Sequence, residues 1–138
     1  MWKKIYINKD ILEKFKNQAN KAQRRNFNEV CGLVVKNKDN ILELWFQKNL
    51  SKRPCRFEIG MKNLEQKKAE AKEKGIKVCG IFHSHPLSEA IPGRGDLRGS
   101  KINSLMLIYD VCDNDIKLWR ICKNSKRKFA KEVPLNVI

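Results

Sequence analysis

Two apolar runs of strand length, VCGLVV (30–35) and VCGIF (78–82), most constrain what this chain can fold into. Each is too short for a stable helix and rich in β-branched residues, so each reads as a strand buried on both faces. A strand covered on both faces needs helices or loops above and below its sheet. The segments between the runs supply them. Ile11, Phe15, Ala19 and Ala22 share one face of a helix over 10–23, opened by a capping-box-like pair, Asp10 and Glu13. A second helix is expected over 61–74, with a narrow stripe of Met61, Leu64, Lys68 and Ala71 and with Gly75 as its C-cap. A third, short helix is expected to begin at Asp96, after a loop over 86–95.

Strands are expected at KKIYIN, NEVCGLVVKN, ILELWFQKN, CRFEIG, IKVCGIFHSH, SLMLIYDV, DIKLWRICK and RKFAKEVPL. The element order is β-α-β-β-β-α-β-α-β-β-β. It describes an α/β fold, a mixed sheet with flanking helices. At 138 residues the chain is expected to be a single domain, 1–138.

Composition narrows the setting. No apolar run approaches the ~20 residues that span a bilayer, and MWKKIYINKD has no apolar core of a secretory signal after its lysines. The expected location is the cytoplasm, without membrane association. Five cysteines, at 31, 55, 79, 112 and 122, are odd in number and lack CxxC spacing. Reduced thiols are expected, with Cys31, Cys79 and Cys112 buried inside apolar runs. The net charge of +15 suits an acidic partner, a nucleic acid or an anionic surface, and equally a set of solvated lysine faces. Two basic clusters, KAQRRN (21–26) and KNSKRK (123–128), have no aromatic interleaving, so nucleic acid is not the expected partner.

Both histidines of the chain lie in GIFHSHPLSEAIPGRGDLRGS (80–100). Residues i and i+2 of a strand point the same way, so His83 and His85 share a face where the strand breaks at Pro86. Asp96 follows from a Pro/Gly loop able to fold back over them. Two imidazoles and a carboxylate make the three-ligand set of a catalytic zinc site, with a fourth position left to water. The same pattern suits two ordinary histidines and a loop acid, and spacing alone leaves both readings open. Ser84 points away from the histidines and reads as a packing residue. Gly32 reads as a site of close backbone approach.

HSHP followed at fixed distance by Asp, with EVCGLVV upstream, resembles the JAMM motif of the MPN-domain (Mov34/JAB1) metallopeptidases. The resemblance covers nearly the whole chain, and the shortness of the chain is like that of prokaryotic members. It implies an MPN-like fold, Zn²⁺ held by His83, His85 and Asp96, and Glu29 as the base that handles the protons of the bound water. It implies a zinc peptidase or isopeptidase cutting after the C-terminal glycine of a ubiquitin-like or sulfur-carrier protein. The alternatives are a catalytically weakened MPN scaffold that binds a protein, and a phage-tail-type peptidase. One position departs: the serine of the motif falls at Gly93. In the family that serine supports the tetrahedral intermediate. Gly93 implies a slower enzyme, an enzyme with another donor (backbone amides nearby or Arg94), or a binding module that keeps its metal.

Overall fold

A computed structural model describes residues 3–138. The elements run β1 (Ile5–Ile7), α1 (Lys9–Asn26), β2 (Cys31–Lys36), β3 (Ile41–Gln47), α2 (Met61–Glu73), β4 (Lys77–His85), α3 (Arg94–Arg98), β5 (Leu105–Asp110), β6 (Asp115–Lys123), β7 (Lys128–Val133) and β8 (Leu135–Val137). The eight strands form one sheet in the order β7-β6-β5-β4-β2-β3-β1-β8. It is mixed: β4 pairs parallel with β5, and β1 parallel with β3 and β8, while the other neighbours are antiparallel.

The two apolar runs become β2 and β4, the central antiparallel pair. Alternate residues of the sheet serve two cores. On one face Val34, Phe82, Leu107 and Tyr109 pack under α1, where Phe15 is fully buried. The Phe15 ring meets Phe82 edge-on at 4.9 Å and Tyr109 at 5.9 Å. On the other face Met106, Ile108 and Ile121 pack under Ala90 of the loop that follows β4. Trp119 pins that loop by donating its indole N–H to the Ala90 carbonyl at 2.8 Å. Gly32 lies at the crossing of three strands, where a Cβ would run into the Trp45 carbonyl and the Phe82 ring.

Four local expectations need correction. CRFEIG is not a strand: residues 56–60 are extended but unpaired to any sheet neighbour. The last expected strand divides at Pro134, which has no N–H for a ladder, and the chain re-enters the sheet as β8 beside β1. Helix α1 begins at Lys9 behind Asn8, with Asp10 in its first turn and no side-chain cap. Cys112 is exposed in the turn after β5 and only its thiol reaches inward, donating to the Pro86 carbonyl at 3.2 Å. No helix of the described residues is long and apolar enough to cross a membrane.

Candidate metal centre

The end of β4 carries His83 and His85 on the face away from α1. His83 is completely buried and His85 nearly so. Cys31, at the start of β2, pairs with His83. Just before it, Ser84 closes the ladder twice. Its N–H donates to the Val30 carbonyl at 3.0 Å, and its hydroxyl accepts the Val30 N–H at 2.9 Å. Ser84 is therefore more than packing, because it seats the residue next to Glu29. Glu29 is 6% exposed, and its Oε1 stands 3.2 Å from His83 Nδ1 without the alignment of a hydrogen bond.

Asp96 arrives on α3. Its Oδ1 is 3.5 Å from His83 Nε2 and its Oδ2 is 3.4 Å from His85 Nε2. Glu29, His83, His85 and Asp96 are thus brought together. Single donor atoms of Glu29, His83 and His85 lie within 4.8 Å of one another, and Asp96 closes the group from the loop side. Gly93 sits at the start of α3 and donates its N–H to Asp96 Oδ2 at 2.9 Å, so that amide is committed to holding the carboxylate. Ser100 donates its hydroxyl to the Asp96 carbonyl at 2.5 Å and fixes the other side of the turn.

Within this site, among the described residues, three buried polar atoms have no hydrogen-bond partner: Glu29 Oε1, His83 Nδ1 and His83 Nε2. Leaving such groups unmatched costs of order 1–3 kcal/mol each. A cation among the two imidazoles and Asp96 would take up the unmatched His83 Nε2, so the residues fit a metal. His85 is already oriented for one. The Glu89 carbonyl, 2.6 Å from Nδ1, requires a proton there and leaves Nε2 as the nitrogen that faces Asp96. Burial alone would lower the His85 pKa, but the hydrogen bond to Asp96, the Glu89 carbonyl and the charges of Glu29 and Asp96 hold it above its ordinary value. Burial likewise would raise Asp96, yet the His85 bond, the charge of His83 and the Gly93 amide hold it below the usual carboxylate value.

Burial, and then the charge of Glu29, push the Cys31 thiol up to about 12. A thiol held protonated in this way is a poor nucleophile.

Two residues that sequence reasoning missed hold the site from behind. Phe57 stacks on His83, with centroids 4.5 Å apart and planes at 23°. Asn49 uses its whole amide. It donates to the carbonyls of Glu29 and Arg56, both at 2.9 Å, and accepts the N–H groups of Ser51 at 2.9 Å and Glu58 at 3.0 Å. One side chain thus ties the base of Glu29 to the segment carrying Phe57. Asn49→Ala is expected to lower stability by about 1–2 kcal/mol, since half of these bonds are exposed. It is also expected to lower turnover more than tenfold at full metal occupancy, through misplacement of Glu29 and Phe57. Thermal melts beside single-turnover rates check it; a normal rate would show that Asn49 serves folding alone.

A groove of about 1110 Å³ opens onto the centre. Glu29, His85 and Asp96 line it together with Phe57, Ile59 and Ile81. Arg56, Arg98, Glu58 and Glu89 add charge of both signs.

Known proteins share this architecture. A relative from Pyrococcus furiosus named desampylase is 29% identical over 105 residues, which cover 76% of this chain and 75% of that one. The solution structure of a protein from Desulfitobacterium hafniense superposes with a TM-score of 0.76 at 24% identity, covering 97% of this chain and 92% of that one. A structure described as a JAMM metalloprotease-like zinc site in the proteasome and signalosome superposes with a TM-score of 0.59 at 18% identity, covering 99% of each chain. The family model for prokaryotic homologs of the JAB domain matches residues 13–122, from within α1 to near the end of β6, and the chain belongs to that family.

Proposed function

We propose that this protein is a zinc-dependent peptidase or isopeptidase that hydrolyses the bond after the C-terminal tail of a ubiquitin-like protein. The observation that carries the reading is the meeting of His83, His85, Asp96 and Glu29 at one buried point with unmatched polar atoms. The name of the Pyrococcus relative and the zinc site of the JAMM structure fit that reading.

In this assignment His83, His85 and Asp96 would hold the ion, and Glu29 would not. A bound zinc ion supplies Lewis acidity, polarising a water molecule and the scissile carbonyl. Glu29 takes the proton of the attacking water and returns it to the leaving amine. The Glu89 carbonyl keeps His85 in the ligating tautomer. Phe57 covers His83 and keeps bulk water from that side. The groove beside Phe57 and Ile59, about 1110 Å³ and lined by apolar and charged side chains, has room for an extended peptide tail. The test is cleavage of a ubiquitin-like protein fused through its terminal glycine to a reporter, with chelator and zinc re-addition as controls. Absence of cleavage of linear and isopeptide fusions by zinc-loaded protein would refute the reading.

Gly93 favours a second reading, a binding module, because one donor of the motif is missing. The structure allows a direct trial. Gly93 has φ −79 and ψ 174, extended backbone that serine adopts freely. An added Cβ would meet only Asp96 Oδ2, at an ordinary 3.7 Å. Gly93→Ser is expected to raise kcat/KM by ~10-fold, a part of the 10²–10³ that an oxyanion donor contributes, at unchanged zinc content. An unchanged rate would mean that another donor already fills the role.

A further inference from the structure

A second concave surface lies at the same end of the sheet. It is a crevice of about 650 Å³ between the last turn of α1 and the loop after β3, lined by Arg24, Arg25, Phe27, Asn28, Lys52 and Pro54 among others. No acidic residue lines it. Among the described residues, Arg24, Arg25 and Lys52 form no ion pair. All three are exposed. The arginines also complement the helix C-terminus, but that accounts for neither Lys52 nor Phe27.

Phe27 is the second, independent observation. It ends α1 in the left-handed region, with φ 54 and ψ 35, and its N–H donates to the Gln23 carbonyl at 3.0 Å. Glycine or asparagine is the residue that this position ordinarily takes, and a bulky side chain there is strained. The strain is not repaid by burial, since Phe27 is 47% exposed. A strained backbone holding a half-exposed aromatic in the middle of a basic crevice is a mark of function.

The crevice is also rigidly joined to the metal centre. Cys55 donates its N–H to the Phe27 carbonyl at 2.9 Å, so loop and helix end are one piece. Phe27 precedes Glu29 by two residues, and Cys55 precedes Phe57 by two. Asn49 joins Ser51, beside the crevice, to Glu29.

We propose that this crevice docks an acidic protein surface, with Phe27 as the apolar anchor and Arg24, Arg25 and Lys52 as partners of carboxylates. The identity of that protein, the modifier whose tail enters the groove, rests on the proposed function; the acidic docking surface does not. An aromatic anchor ringed by arginines is the chemistry of a protein hot spot, and a basic surface steers an acidic partner to the site.

The binding probe is a fluorescein-labelled acidic peptide, roughly ten residues of Glu with Leu interspersed, titrated into the full chain. Charge reversal at Arg24, Arg25 and Lys52 to Glu is expected to weaken binding by about tenfold or more. The same net change at Lys123, Lys126 and Arg127, exposed at the β6–β7 turn, is expected to alter it by less than about twofold. Phe27→Gly is expected to weaken binding at least ~3-fold while leaving the Tm unchanged or higher, because glycine relieves the left-handed strain. Equal losses in the two charge variants would overturn the proposal, leaving only diffuse attraction. A single-stranded oligonucleotide of equal charge that binds more tightly through the same residues would also overturn it, in favour of a nucleic acid. So would a Phe27→Gly variant with lower Tm and unaltered binding. In turnover, the crevice variant is expected to raise KM on an acidic ubiquitin-like fusion and to leave cleavage of a short Gly-Gly peptide unchanged. Crevice-dependent binding without any cleavage would remove the catalytic reading and leave the docking surface standing.

Discussion

Glu29→Gln is expected to keep the fold and the zinc and to cut turnover on a ubiquitin-like fusion by about 10²–10⁴-fold, the range a positioned general base contributes. The substitution is nearly isosteric. The backbone at Glu29 stays in place because the Asn49 amide holds its carbonyl and Ser84 holds the neighbouring Val30. What is lost is an oxygen able to accept a proton, at a point where Oε1 has no competing hydrogen bond. Circular dichroism, zinc content and kcat/KM measured on one preparation decide the matter. Loss of zinc would mean that Glu29 is a ligand, in line with its place within 4.8 Å of both histidine donors. A native rate would assign the base elsewhere.

The sheet was legible because its central strands are short apolar runs that no helix pattern fits. The histidine pair was legible because period two is a rule of strands. Other features left no such trace. CRFEIG alternates Cys55, Phe57 and Ile59 with polar residues, as a half-buried strand does, yet its hydrogen bonds go to the Phe27 carbonyl, to the Asn49 side chain and to Leu50, whose N–H donates to the Glu58 carbonyl. A side chain standing in for a ladder is invisible to periodicity. So is Glu89, whose contribution at His85 is its carbonyl, a group every residue possesses. Strand β8 was hidden because two short segments flank Pro134, and only the return of the chain to β1 divides them. Cys112 looked buried by its apolar neighbours, but the turn at 111–114 carries it outward. The convergence of Glu29 on His83 was reachable only through a family resemblance, since more than fifty residues separate them and no local spacing links them.

Zinc removal is expected to produce the largest stability change. Purified without chelator, the protein is expected to carry about one zinc ion per chain. An ion that binds only the folded form, present at about 1,000 times its Kd, adds roughly 4 kcal/mol, or about 10–20 °C in Tm for a chain of this size. The metal-free protein is nonetheless expected to stay folded. Its main core, built on Phe15, Phe82, Leu107 and Tyr109, lies across the sheet from the site. Asp96 and His85 also hold each other in the absence of an ion. His83→Ala and Asp96→Ala are each expected to abolish zinc binding, and with it the Tm shift and the activity. His83→Ala loses the Phe57 stack but also removes two buried nitrogens that lack partners, so its metal-free Tm is expected to lie close to that of the native apoprotein. That asymmetry separates a metal ligand from a structural histidine: a structural one would be missed in the absence of metal, whereas a ligand is missed only in its presence. Native protein that takes up no zinc on reconstitution, or an Asp96→Ala variant that keeps its zinc and its Tm shift, would overturn this ligand set.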